Sequence, residues 1–197
     1  RMRLIRKAVW KAAGACKDIT AAHLQAVADL LEKQTGRYVK LPYGLTATRV
    51  YNVIEIMGKR KETEKICLPI DTDRLPENLL AGEWKFSFKK FPYDGNTDKI
   101  PRKMYTKWFD YDKIKDSLAI RNRRKGDYFV LDAAGHHKKL EDYFVNEKIP
   151  ASHRDEQLLL AGEDEIFWIV GGRMAYGTGI SDATRWVLEI TASNSSH

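Results

Sequence analysis

Apolar residues recur at helical spacing at the start of the chain. Ile5, Ala8, Val9 and Ala12 fall at i, i+3, i+4 and i+7, which predicts a helix over Arg3 to Ala13 with Gly14 placed to end it. Leu24, Val27, Ala28 and Leu31 form a second stripe, predicting a helix from Thr20 to Thr35, capped by Thr20 or Asp18 and stopped by Gly36. The period then changes. Tyr38 to Leu41, a Pro42-Tyr43-Gly44 turn and the run Leu45 to Met57 read as a β-hairpin. Further on, strands are predicted at Lys65 to Leu68, at the alternating Glu83 to Phe88, at Tyr128 to Leu131, at Ile166 to Val170 and at Trp186 to Ile190. Tyr128 to Leu131 has so little polar content that it reads as buried on both faces. Lys138 to Val145 reads as a short amphipathic helix with Leu140, Tyr143 and Phe144 on one face.

These elements predict an α+β protein of two small domains. Residues 1–57 make an N-terminal unit of helices plus a hairpin. Residues 58–110 are linker and connecting strands, the charged run Gly58 to Glu64 being the boundary, and 111–192 make a C-terminal mixed-sheet unit with short helices. Residues 193–197 read as a frayed tail. A helix that opens at residue 1 without a capping residue reads as cut from something longer.

Composition narrows the class. The chain has 197 residues, 43% hydrophobic and 31% charged, and no apolar run approaches the roughly 18 residues a membrane helix needs. The start, RMRLIRKAVWKAAG, lacks the continuous apolar core and cleavage site of a signal peptide. Two cysteines, Cys16 and Cys67, are too few for a disulfide framework or zinc motif, so a cytoplasmic setting is expected. The net charge is +7, and residues 1–49 alone hold ten Lys or Arg against three Asp or Glu. Residues 118–155 hold eight against six, and residues 156–197 two against six. A basic balance of this kind favours a polyanion partner, nucleic acid first.

Candidate binding chemistry concentrates in residues 120–155, IRNRRKGDYFVLDAAGHHKKLEDYFVNEKIPASHRD. Arg121, Arg123, Arg124 and Lys125 stand before Gly126-Asp127, Lys138 and Lys139 at the expected helix start, and Arg154 after Ile149-Pro150. Arginine on ordered scaffold suits phosphate, because its planar fork grips two oxygens. With Arg173 after Gly171-Gly172, these residues are expected to form one basic surface, and Arg6, Lys7 and Lys11 on the first helix are further candidates for RNA contact.

Basic residues before Gly-Asp, a Lys-Lys-Leu helix start, then Ile-Pro and Arg-Asp resemble the C-terminal domain of bacterial tRNA(Ile)-lysidine synthetase. Residues 23–56, a helix leading through Gly into a Leu-Pro-x-Gly turn and a strand with Tyr, are similar to that family's middle, substrate-recognition domain. The resemblance implies tRNA(Ile) as partner and leaves room for a homodimer in the parent protein. It also implies a parent enzyme that uses ATP to join lysine to the wobble cytidine.

The chemistry of that reaction is not visible in the chain itself. The family's Ser-Gly-Gly-x-Asp-Ser phosphate loop is absent; Gly171-Gly172 lacks a following Ser or Lys, and Gly177-Thr178-Gly179 lacks a convincing helix. His136 and His137 are adjacent, which is not a helical metal pair. Asp110 and Asp112 lack the Gly and distal Glu of a calcium loop and are assigned to turns and caps. Ser152-His153 has no nucleophile elbow. No catalytic residue, metal ligand or cofactor site is therefore expected here, ATP belonging to a domain of the parent protein outside this sequence. Against RNA binding stands a second class of function, a protein-interaction or structural module using Trp84, Phe88, Phe91 and Trp108.

Overall fold

The computed structural model describes residues 1–15, 17–58, 65–114 and 116–194. Cys16 and most of the charged boundary run, 59–64, lie outside the described residues, as do 115 and 195–197. The chain divides into two compact units, Arg1–Thr63 and Glu64–His197.

In the first unit, α1 (Met2–Ala13) ends where Gly14 adopts a left-handed conformation at φ 66° and donates its N–H to the Trp10 carbonyl. α2 (Ala21–Asp29) begins at a capping box in which Thr20 Oγ1 accepts from the His23 N–H and the His23 ring accepts from the Thr20 N–H. A 3-10 turn, Leu30–Glu32, finishes it, so the second helix is shorter than its apolar stripe suggests. The expected hairpin is a three-stranded antiparallel sheet: β1 (Tyr38–Lys40), β2 (Thr46–Val50) and β3 (Val53–Met57), in that order. The long run Leu45 to Met57 folds back on itself at Tyr51-Asn52, where Tyr51 takes a positive φ of 48°. Val9, Leu24, Val27, Leu30, Leu41, Leu45 and Ala47 form the core of this unit.

The second unit is built from two four-stranded antiparallel sheets. One contains β4 (Cys67–Ile70), β8 (Leu118–Arg121), β11 (Leu159–Ala161) and β12 (Ile166–Ile169), ordered β12-β11-β8-β4. The other contains β5 (Asn78–Ala81), β6 (Trp84–Pro92), β7 (Thr106–Asp110) and β13 (Trp186–Asn194), ordered β5-β6-β13-β7. Residues 67–110 thus supply four strands to these sheets, and Ser193 and Asn194 continue β13.

The sheets share a core in which Ile70, Ile120, Leu160 and Trp168 meet Phe86, Phe88, Phe109, Leu188 and Ile190. Phe88 is therefore core and not interface surface. The other face of the β12-β11-β8-β4 sheet is also covered. Leu159, Ala161, Ile166 and Ile169 pack there against Phe129 of β9 (Tyr128–Val130) and against Leu140 and Phe144 of α4 (Leu140–Asn146). Burial on both faces explains the uninterrupted apolar runs of β11 and β12.

β9 pairs with β10 (His137–Lys139), so the residues expected to open a helix lie on a strand, and α4 starts only at Leu140. Lys139 has extended geometry and merely precedes the helix. Only Phe129 of β9 is buried, because the hairpin is an outer layer with a single covered face. Two one-turn helices, α3 (Tyr111–Ile114) and α5 (Ala151–Arg154), complete the unit. No helix among the described residues is long and apolar enough to cross a membrane.

Candidate nucleic-acid interface

Strand period decides what each cation of residues 120–155 can do. Along β8, Leu118 and Ile120 face the shared core, so Arg121 points to the opposite side, opposite Leu159 of β11. That side is roofed by the β9–β10 hairpin, and Arg121 is 1% exposed. Its Nη1 and Nη2 donate to Asp127 Oδ2 and Oδ1 at 2.9 and 2.8 Å, and further to the carbonyls of Asn122 and Glu163 at 3.1 and 2.8 Å. Asp127 also accepts the Arg124 N–H at 2.6 Å, and its carbonyl takes the Leu140 N–H at the start of α4. Expected as a phosphate contact, Arg121 is instead the internal brace of the turn; both of its Nη atoms are engaged there, 1% of the residue is exposed, and the buried Nε has no hydrogen-bond partner among the described residues.

The remaining cations differ in availability. Arg123 is 29% exposed and committed to Asp155, with Nε donating at 2.8 Å and Nη2 lying 2.7 Å from the same oxygen. Glu141 stands 3.6 Å from Nη1. Arg154 is half-buried and donates Nε to the Ile149 carbonyl. Arg124 and Lys125 are exposed at the turn before Gly126, where φ is 99°, and Arg124 Nη2 donates to Cys67 Sγ at 2.9 Å.

On the hairpin, Lys139 registers with Tyr128 and Lys138 with Phe129, so the two lysines project from opposite faces. Lys139 shares the outward face with Tyr128 and His137, whose rings are 5.2 Å apart. Lys138 and Phe129 share the other face, where the Arg173 guanidinium sits 5.7 Å from the Phe129 ring centroid. Tyr143 packs edge-on against Phe129, and burial and the Glu147 carboxylate push its phenol above the ordinary tyrosine range, opposed by Arg173. The residues expected from the sequence to share one basic surface are therefore divided, with Arg121 buried in β8 and Lys138 and Lys139 on opposite faces of the hairpin. The outward face gathers Lys139, His137 and Tyr128, and follows directly on Arg124 and Lys125.

At the hairpin tip, Asp132 Oδ2 lies 2.9 Å from His136 Nδ1, and that hydrogen bond holds the Asp132 carboxyl below its ordinary value. Asp110 serves the turn and capping role assigned to it, accepting the Asp112 N–H and the Thr184 hydroxyl.

In the first unit, Arg6, Lys7 and Lys11 are exposed along α1, with Arg6 5.6 Å from the Trp10 ring centroid. A groove of about 440 Å³ between α2 and β1 is lined by Lys33, Arg37 and Tyr38, with Asp29 beside them. Sequence reasoning passed over those three residues and Tyr128.

This geometry defines a class, a strand-built domain with a braced basic turn and hairpin on its outer layer. Residues 118–190 match the family model described as the TilS substrate C-terminal domain. The chain is 32% identical over 191 residues to the tRNA(Ile)-lysidine synthase of Caldanaerobacter subterraneus and 29% identical over 200 residues to that of Clostridium perfringens. Each match covers 96% of this chain but 40% and 42% of those proteins, so the chain spans about two fifths of the length of these curated relatives. A solved structure described as the TILS C-terminal domain aligns at a TM-score of 0.50 and 19% identity, covering 67% of this chain and 98% of that one, a likeness of fold alone. The resemblance read from the sequence, to part of the tRNA(Ile)-lysidine synthetases, holds.

Proposed function

We propose that this chain is the tRNA-gripping accessory region of a tRNA(Ile)-lysidine synthetase, with ATP and lysine handled by a domain outside it. The observation that carries this reading is the division of labour in residues 121–139. Arg121 and Asp127 lock the turn from inside, which leaves Arg124 and Lys125 exposed beside an outward hairpin face bearing Lys139, His137 and Tyr128. A-form RNA presents phosphates and 2′-hydroxyls over a broad shallow surface, which suits cations held apart on rigid backbone and an aromatic face between them. Arg6, Lys7 and Lys11 extend the same chemistry on the first unit, where the charge excess lies.

The test is a salt titration of tRNA(Ile) binding by the Arg124→Ala/Lys125→Ala variant, by Lys139→Ala and by Arg123→Ala. Removing a cation that holds a phosphate lowers the salt slope by roughly 0.7–0.9 per charge. The first two variants are expected to show that decrease. Arg123→Ala, which breaks a partly exposed ion pair, is expected to alter stability by no more than about 1 kcal/mol and to leave the slope intact. Unchanged affinity and slope in all folded variants would move the interface to the first unit or remove it.

A further inference from the structure

A pocket of about 220 Å³ opens in the second unit where Trp84 begins β6, Tyr105 precedes β7, and the chain leaves α5. Leu158 and Val170, both buried, lie at its base. Trp84 and Tyr105 are two of its walls, with ring centroids 5.3 Å apart and planes tilted by 45°, which makes a wedge and not a closed stack. The Tyr105 ring is seated on bare backbone. A Cβ at Gly171, where φ is 77°, would come within 2.7 Å of Tyr105 Cε1, so only glycine lets the ring lie there.

The polar side of the pocket is made by Glu156, Gln157 and His153. Gln157 Nε2 donates to the carbonyls of Leu158 and Val170 at 3.1 and 2.9 Å, which settles the amide orientation and turns Oε1 away from both. That oxygen has no partner among the described residues. Next to it Glu156 is exposed, and its carboxylate only accepts. His153, also at the pocket, can accept or donate. The volume is below the roughly 300–1,000 Å³ of drug-sized sites and suits one planar ring system.

We infer that this pocket receives a single unstacked nucleobase bearing an exocyclic amine, guanine, adenine or cytosine above uracil, from a bound RNA. The inference rests on the RNA-binding reading proposed above. Unpaired bases are recognised by splaying them onto aromatic side chains and hydrogen-bonding their edges. Here the outer face of the Trp84–Tyr105 pair, whose rings already touch each other, supplies the stacking platform, and the acceptors of Glu156 and Gln157 take the N–H groups of an amine while disfavouring the carbonyl that uracil has in its place. The carboxylate also keeps phosphate at the rim, so the base and not the backbone enters.

The experiment is fluorescence anisotropy of labelled single-stranded hexamers of adenylate, cytidylate and uridylate with the whole 197-residue chain. Adenylate and cytidylate are expected to bind more tightly than uridylate. Tyr105→Leu should weaken adenylate binding about tenfold, the scale of one stacked base, and Tyr105→Phe should retain it. Glu156→Gln, at an exposed position, should shrink the preference over uridylate because a carboxamide also offers a donor. It carries the test if Tyr105→Leu does not fold.

Equal affinity for the three hexamers, or a preference untouched by Glu156→Gln, overturns the assignment. If tRNA still binds with its salt slope intact in that case, only the pocket falls, and an aromatic side chain of a protein partner becomes its better occupant. If neither tRNA nor any hexamer binds, the pocket and the RNA-binding reading fall together.

Discussion

The Arg121 guanidinium and the Asp127 carboxylate meet where neither reaches water, with side chains 1% and 0% exposed. Such a pair is weak evidence of net stabilisation, because both charges gave up their hydration to get there. Breaking it is another matter, since the survivor stays buried and unpaired. Asp127→Ala is expected to lower unfolding stability by about 3–5 kcal/mol, whereas Arg121→Met with Asp127→Leu should recover much of that deficit. Urea denaturation of the three proteins checks it; a single-mutant effect under about 1 kcal/mol would mean the turn is held by its other bonds. Asp132 behaves differently because it is exposed. Its hydrogen bond with His136 lowers its pKa from 3.8, followed by backbone donors at His136 and Ala134. A depressed carboxyl contributes above its unfolded value and loses that contribution as pH falls through the folded one. The hairpin tip should therefore stay ordered down to about 3.8 and loosen below it. Titrating the Asp132 carboxyl by NMR should show a midpoint below 3.8, and His136→Ala should return it towards the ordinary value.

At the scale of elements, α2 depends on an unusual capping box in which histidine takes the place of glutamate or glutamine. Thr20→Ala is expected to cost the first unit about 1 kcal/mol, within the roughly 0.5–2 kcal/mol that cap removal costs elsewhere, read as a shift in the thermal unfolding of the chain; no shift would show the helix held by Leu24 and Val27 alone. α1, α2 and α4 were legible from their stripes, and α1 runs within a residue of its expected start, whereas the one-turn α3 and α5 carried no stripe to read. The strands of the first unit and β4, β6, β9, β12 and β13 were legible in kind, but β5, β7, β8, β10 and β11 were not, and neither were the partners of the second unit's strands. Leu45 to Met57 looked continuous because Tyr51-Asn52 carries no Gly or Pro to mark the reversal. Lys138-Lys139-Leu140 fits the start of a helical stripe as well as it fits a strand, and only pairing with Tyr128-Phe129 decides between them. The candidate site was legible as a neighbourhood and not as a set of roles. Alternation in Leu118-Ala119-Ile120-Arg121 already put the arginine on the side away from the core residues, but what lay on that side became visible only when the hairpin closed over it.

For the whole molecule, the basic excess of residues 1–49 and the braced turn of the second unit belong to separate compact bodies, so the RNA affinity we propose should be divisible. Adding Arg6→Ala, Lys7→Ala and Lys11→Ala to the Arg124/Lys125 variant is expected to lower the salt slope further, by roughly 0.7–0.9 for each phosphate that is no longer neutralised. If those three added substitutions leave the tRNA titration unchanged, binding is confined to the second unit. The chain carries no Ser-Gly-Gly phosphate loop and spans about two fifths of its relatives. Purified and given ATP, lysine and tRNA, it should release no AMP and make no lysidine; lysine-dependent AMP release in a radiolabelled assay would contradict this.

β13 lies between β6 and β7 and registers with β6 from Trp186–Pro92 through Asn194–Trp84. Its partners lie between 77 residues (Val187 and Asp110) and 110 residues (Asn194 and Trp84) earlier along the chain, so on a ribosome β6 and β7 emerge with the space between them vacant. Non-local pairings of this kind form late and leave strand edges exposed meanwhile. A nascent chain stalled between Phe109 and Trp186 would carry Phe86, Phe88 and Phe109 without the strand that joins their sheet, and would be a natural client for a chaperone until the last strand arrives.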